Sequence, residues 1–227
     1  MKLSKAKLIK KTKDKLNALG YYEVKDTITV ANGLYIKLIE KDWFLTLGLT
    51  ISNYYDSKFT ASFYLSKTTI WGAVWGDIPK ESYQRVGHFL TKEERYELLS
   101  EEYTKDGVTD AWWDGNDEQS IANFINTVEI TEKRFLGQPD LLTKIENSLK
   151  VQELQMLSKL VMNELKKSNL EEFSYSFIPS KSIDDIPIEW FKASERVLAK
   201  NGAILNPNTV KRLAGDAWRM NIVKKYS

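Results

Sequence analysis

Trp43-Phe44-Leu45-Thr46-Leu47-Gly48-Leu49-Thr50-Ile51, followed after a short polar gap by Phe59-Thr60-Ala61-Ser62-Phe63-Tyr64-Leu65, is the stretch on which the fold turns. In the second run Phe59, Ala61, Phe63 and Leu65 recur at every other position, the period of a strand with one apolar face. The first run reads as a neighbouring strand, entered through a turn at Lys41-Asp42. Upstream, Ile28-Thr29-Val30 and Leu34-Tyr35-Ile36-Lys37-Leu38 flank Asn32-Gly33, a pair suited to the positive φ angles of a tight hairpin turn. The expected centre is an antiparallel meander, to which Ile70 to Trp75 adds a last strand made irregular by Gly72 and Gly76. Such a sheet needs helices over its apolar face.

The flanking sequence supplies them. Leu8, Thr12, Leu16 and Leu19 recur at helical spacing, and Gly20 stands where a left-handed stop is expected. Thr91-Lys92-Glu93-Glu94 is a capping box, predicting a short helix to about Tyr103. Asn116 or Asp117 caps a further helix whose Ile121, Phe124, Ile125 and Val128 form an apolar stripe. Pro139 sits at a first helical position, and Leu141, Leu142, Ile145, Leu149, Leu154, Leu157, Leu160, Val161 and Leu165 continue the period as one long helix or two short ones. Phe173 to Ile178 alternates like a strand. Pro187 and Pro207 then open two helices separated by Asn201-Gly202. The fold class is α+β: an N-terminal helix, an antiparallel β-meander covered by helices, and a mostly helical C-terminal region. Residues 1–137 make the meander domain and 138–227 the helical region, packed on the first as one unit or standing apart.

A chain of 227 residues with 42% hydrophobic and 28% charged residues is long enough to bury a core without staples. It has no cysteine, which removes disulfides, thiolate metal sites and cysteine nucleophiles. The start alternates lysine with apolar residues rather than forming the apolar core of a signal peptide, and no run approaches the roughly 20 apolar residues of a membrane span. A cytoplasmic protein with no membrane contact is expected. The net charge of +2 hides a division. Lysines crowd the first fifteen residues, acids dominate from Glu93 to Glu118, and the end is basic again.

Catalytic and cofactor motifs do not emerge. There is no nucleophile elbow, phosphate loop or dinucleotide fingerprint, so no catalytic residue and no cofactor are assigned. The single His88 leaves no basis for a zinc site built on two histidines, and no metal site is expected. Glu23-Val24-Lys25 has the carboxylate-x-lysine spacing of metal-dependent nucleases, but only Asp14 and Asp26 stand near as acidic partners. Asp106, Asp110, Asp114, Asp117 and Glu118 lack the alternate spacing of a calcium loop. An enzyme reading would need dispersed carboxylates such as Glu40, Asp42 and Asp77 to converge.

Trp112-Trp113 within that acidic run is the unusual feature. One reading has one tryptophan plugging the core and the other on its rim. The functional reading makes Trp112 and Trp113, with Asp110, Asp114, Asp117 and Glu118, an anchor for a protein partner bearing a basic surface. The alternative is nucleic-acid binding through the basic first and last helices, by Lys7, Lys11, Lys211, Arg212 and Arg219, which requires those helices to share a face.

Leu16-Asn17-Ala18-Leu19-Gly20-Tyr21, the strand Phe44-Leu45-Thr46-Leu47-Gly48-Leu49, and Trp112-Trp113 before a helix together resemble an uncharacterised bacterial family of small cytosolic α+β proteins. The likeness covers about residues 1–150. It implies a leading helix, an antiparallel sheet and a tryptophan-bearing segment before a closing helix. It carries no catalytic residues, and some relatives look like immunity proteins of toxin systems. The resemblance therefore implies a non-enzymatic binding module, an immunity or defence component whose partner is a basic toxin or nuclease.

Overall fold

Strands β2 (Gly33–Glu40), β3 (Trp43–Ile51) and β4 (Lys58–Ser66) pair antiparallel in sequence order. They lie at the centre of a computed structural model that describes residues 2–24, 31–40, 43–66, 80–105, 110–146, 149–167, 186–202, 205 and 207–226, with backbone only for 80, 149–155, 208 and 219–226. Strand β1 (Tyr22–Glu23) pairs with β2. The outer edge of β4 is shared end to end by two short strands: β5 (Tyr83–Arg85) pairs with Ser62 to Tyr64, and β6 (Trp113–Asp114) pairs with Lys58 and Phe59.

The helices found among the described residues are α1 (Lys5–Ala18), α2 (Lys92–Leu98), α3 (Glu118–Leu136), α4 (Leu141–Glu146), α5 (Leu149–Lys167), α6 (Ile188–Lys200) and α7 (Pro207–Tyr226). No helix among the described residues is long and apolar enough to cross a membrane.

Strand alternation sorts the side chains into two cores. Tyr35, Leu45, Leu47, Leu49, Phe59, Ala61, Phe63 and Leu65 form one face, and on them lie Leu8 and Leu16 of α1, Phe124, Val128 and Phe135 of α3, and Leu141 and Ile145 of α4. Thr12, between the two α1 leucines, donates its hydroxyl proton to the Leu8 carbonyl at 3.0 Å, so the Tyr35 hydroxyl donates to it in turn, also at 3.0 Å. Glu132 of α3 reaches across to accept from the Tyr21 hydroxyl at 2.8 Å and pair with Lys37 at 2.6 Å.

The second face carries Leu34, Ile36, Phe44 and Tyr64. It receives Met162 of α5, while α7 packs on β2. Helices α5, α6 and α7 have their own core of Leu157, Val161, Trp190, Val197, Leu213 and Trp218, to which Met162 also belongs. Asp216 of α7 is fully buried and accepts from the Ser158 hydroxyl of α5. Burial first, and then the Asp216 charge, push the Tyr64 hydroxyl up to about 12 against a hydrogen bond with Ser66. Leu141 and Ile145, which lie beyond residue 137, join the first core.

Several local expectations meet the structure directly. Gly20 and Gly202 end α1 and α6 with φ of +86° and +69°. Thr91 and Glu94 close the capping box, and Asp117 caps α3 by accepting from the Ser120 amide at 2.8 Å. Others are corrected. Asn32-Gly33 is no turn: the Asn32 amide donates to the Leu49 carbonyl and its side-chain oxygen accepts from the Ile51 amide, both at 2.7 Å, so it extends the β2–β3 ladder. Helix α2 stops at Leu98 rather than near Tyr103, and a separate 3-10 turn spans Glu101–Tyr103. Pro139 precedes Asp140 at φ 58°, and the helix starts only at Leu141. Pro187 is the residue before α6, whereas Pro207 opens α7 as expected. The strands expected at Ile28 to Val30, Ile70 to Trp75 and Phe173 to Ile178, and the turn at Lys41-Asp42, lie outside the described residues.

Glu94 also ties α2 to α3, accepting both Arg134 nitrogens at 2.5 and 2.7 Å. These bonds, and next the Thr91 amide, pull the Glu94 carboxyl down to about 2 against the opposing effect of its partial burial. A depressed carboxylate stabilises the fold fully above its unfolded value and loses that contribution as pH falls through the folded one. Glu94→Gln is expected to cost about 1 kcal/mol at neutral pH, allowing for solvent screening of this partly exposed pair. Urea titrations of both proteins should show the gap constant down to about pH 4.5 and closing as pH approaches about 2.

Candidate functional site

The pairing of β6 with the start of β4 brings the acidic run beside the loop that joins β3 to β4. That loop is held from several sides. The Ser52 hydroxyl accepts from the Tyr54 and Tyr55 amides at 3.1 Å, and the Ser52 amide donates to the Lys58 carbonyl at 2.9 Å. The Asp56 carbonyl accepts from the Leu3 amide at 2.6 Å, and the Ser57 carbonyl from the Gly115 amide at 2.8 Å. The Ser57 hydroxyl donates to Asp114 at 2.8 Å. On this braced loop Tyr54 is 94% exposed and Tyr55 57%.

The two tryptophans part company where β6 begins: Trp112 just precedes the strand and Trp113 opens it. Trp113 is 1% exposed and packs in the first core, its ring 5.2 Å from Phe124 and 6.2 Å from Phe59. Its assignment as a partner-binding residue is therefore corrected: the side chain is sealed inside, with its indole nitrogen buried and unbonded. Trp112 is half-buried at the rim. Its indole N–H donates to Asp110 at 2.8 Å, Arg85 pairs with Asp110 at 2.9 Å, and the Arg85 guanidinium lies 5.8 Å from the Trp112 ring centre. Arg95 fixes the backbone beneath, donating to the carbonyls of Tyr103, Gly87 and Asp110 at 2.6 to 3.2 Å.

A cleft of about 240 Å³ opens between the end of α2 and the start of α3, floored by Leu98, Leu99 and Trp112 and rimmed by Lys58, Asp117 and Asn123. Lys58 pairs with Glu102 at 3.4 Å and sits 5.8 Å from the Tyr103 ring, linking the cleft to the tyrosine loop.

Each predicted acid has an internal role. Burial raises the Asp114 carboxyl, but the Asn116 amide, the Ser57 hydroxyl and Lys58 outweigh it and hold it below the ordinary carboxylate range. Asp117 caps α3. Glu118 pairs with Lys11 at 2.6 Å, and Lys11 holds its carboxyl low.

That last pair involves a residue of the nucleic-acid alternative. Lys7 donates to the neutral Asn116 side chain at 2.6 Å and Lys11 pairs with Glu118, so these two lysines are held against the start of α3. Helix α1 covers the first sheet face and α7 the side of the second, so the two basic helices share no face. Leu213 to Trp218 are all buried, which encloses α7 on every side there. Lys211 and Arg212 are half-buried on that helix, and the Arg219 side chain lies outside the described part.

The remaining chemistry is dispersed. His88 is exposed beside Gln84. Glu23 is 4% exposed and paired with Lys13 at 2.9 Å, with Lys25 and Asp26 outside the described residues. Glu40 is exposed at the end of β2, and Asp42, Asp77 and Asp106 are outside the described residues. Among the described residues no three His, Asp or Glu side chains converge to hold a metal ion.

The residues that sequence reasoning missed are Tyr54, Tyr55, Lys58, Arg85 and Arg95. Only the first two left a signal, a Tyr-Tyr pair set among the turn-forming residues Ser52, Asn53, Asp56 and Ser57. Comparison with protein-family models, curated proteins and solved structures gives no match.

Proposed function

We propose that the protein is a cytoplasmic, non-enzymatic binding module that engages a protein partner through the face made by Tyr54, Tyr55, Trp112 and the surrounding acids. The observation that carries this reading is the 94% exposure of Tyr54 on a loop whose backbone is braced by hydrogen bonds. A large aromatic held out in water by a rigid loop has little to do in the folded chain. At an interface it offers broad contact area at small entropic cost. Asp56, beside the pair, and Glu101, Glu102 and Asp117 are exposed. They favour a partner rich in lysine and arginine and speed its approach. An immunity or defence component that covers a basic toxin or nuclease fits that chemistry.

Tyr54→Ala/Tyr55→Ala is expected to leave stability within about 0.5 kcal/mol, since exposed side chains carry little of the fold. Affinity for a protein captured by the wild type should fall about tenfold or more, as for interface anchors. Asp117→Ser, which keeps a competent helix cap, should weaken binding less and reduce its sensitivity to salt. Unchanged affinity in the double tyrosine variant, measured by calorimetry on the captured protein, would remove the reading.

A further inference from the structure

We infer that residues 2–4 are a strap that sets the conformation of this face, so that docking or release of Leu3 controls how Tyr54 and Tyr55 are presented. The inference rests on the reading of the face as a binding surface, but its structural content stands alone. Leu3 is 3% exposed although it precedes the first helix. Its side chain lies so close over Gly115 that a β-carbon there would collide with the leucine methyl groups. The Leu3 amide donates to the Asp56 carbonyl at 2.6 Å, and the Gly115 amide to the neighbouring Ser57 carbonyl at 2.8 Å.

Leu3, the 56–57 backbone and Gly115 therefore form a closed triangle. Each corner touches the other two, and removing Leu3 takes away both the bond to the Asp56 carbonyl and the cover over Gly115, which itself holds Ser57. Helix α1 extends the grip: Ser4 caps it, and Lys7 and Lys11 reach Asn116 and Glu118.

The balance of terms makes the strap poised rather than permanent. Its docking gains the burial of one leucine and one backbone hydrogen bond, and it orders a few otherwise free residues. The burial and the bond outweigh the ordering, but by a margin well below the stability of the whole fold. Local opening of this kind draws on far less than the global stability, and it leaves the sheet and α3 intact. A released strap lets the loop sample many conformations and removes the pre-organisation on which a rigid aromatic anchor depends.

Chymotrypsin, which cuts after aromatic residues, reads the loop without any partner. Wild type should resist cleavage after Tyr54 and Tyr55. Leu3→Ala should be cut there on the order of tenfold faster, because cleavage tracks the open population. Gly115→Ala should do the same by expelling Leu3 from the other side. Val197→Ala, in the core of α5 to α7, serves as the control for general destabilisation. Loop cleavage in Leu3→Ala equal to wild type, or raised no more than in Val197→Ala, would overturn the strap. If the loop loosens as expected and yet the double tyrosine variant binds its partner normally, the strap stands and the binding face is elsewhere.

Discussion

Trp113→Ala should lower the unfolding free energy by about 3–5 kcal/mol, the range for truncating a large buried aromatic. Small domains hold about 5–15 kcal/mol in all, so this single change removes a large part of the reserve. The reason is the three-ring contact at the end of the first core. Trp113 meets Phe124 edge-on at 5.2 Å, Phe124 meets Phe59 edge-on at 5.0 Å, and Phe59 closes the set against Trp113 at 6.2 Å. Removing one ring strips the packing surface of the other two and opens a cavity that the β4–β6 ladder cannot close. Trp113→Phe keeps an aromatic there and removes an indole N–H that has no bonding partner, so its cost should stay near about 1 kcal/mol. Urea denaturation of the two variants measures both. A loss below about 1 kcal/mol for the alanine variant would be incompatible with a sealed tryptophan. Any loss of partner binding on changing Trp113 reports unfolding, whereas the tyrosine pair tests the surface itself.

The next largest effect is expected at Arg95. One guanidinium donates to three backbone carbonyls, of Tyr103, Gly87 and Asp110, which otherwise lie on separate turns of the chain. Arg95→Ala leaves all three without this donor and should cost about 3 kcal/mol, since hydrogen bonds from charged groups are worth about 1.5–3 kcal/mol each and part is regained from water. Arg95→Lys should recover little, because a point ammonium cannot span three acceptors that match a planar fork. The backbone at Ala111 and Trp112, next to the Asp110 carbonyl, should also loosen. Hydrogen exchange should therefore accelerate at Ala111 and Trp112 more than in α3. A uniform change across both would assign Arg95 to global stability alone.

Much of the scaffold was legible because its signals are local. The alternation of Phe59, Ala61, Phe63 and Leu65, the Thr91–Glu94 box, the α3 stripe and the stop at Gly20 each depend on residues a few positions apart. Asn32-Gly33 misled for the opposite reason. Its turn chemistry is local, but the bonds to Leu49 and Ile51 come from the next strand and prevail. At Trp112-Trp113 the alternation was readable, but not which ring faces in, since that depends on the pairing of Trp113 with Phe59. The contacts of Lys7 and Lys11 with residues 116 and 118 join the two ends of a long sequence interval, and nothing near either end announces them. Tyr54 and Tyr55 were passed over because aromatic residues are ordinarily core material.

A sheet covered on both faces has a consequence for the newborn chain. Synthesis runs from the N-terminus, and early segments fold first. Residues 5–146 can assemble the first face with its helices while Leu34, Ile36, Phe44 and Tyr64 still await Met162 and α7. During that interval the nascent protein presents a greasy plane to the ribosome's surroundings, a natural target for chaperones and for neighbouring chains.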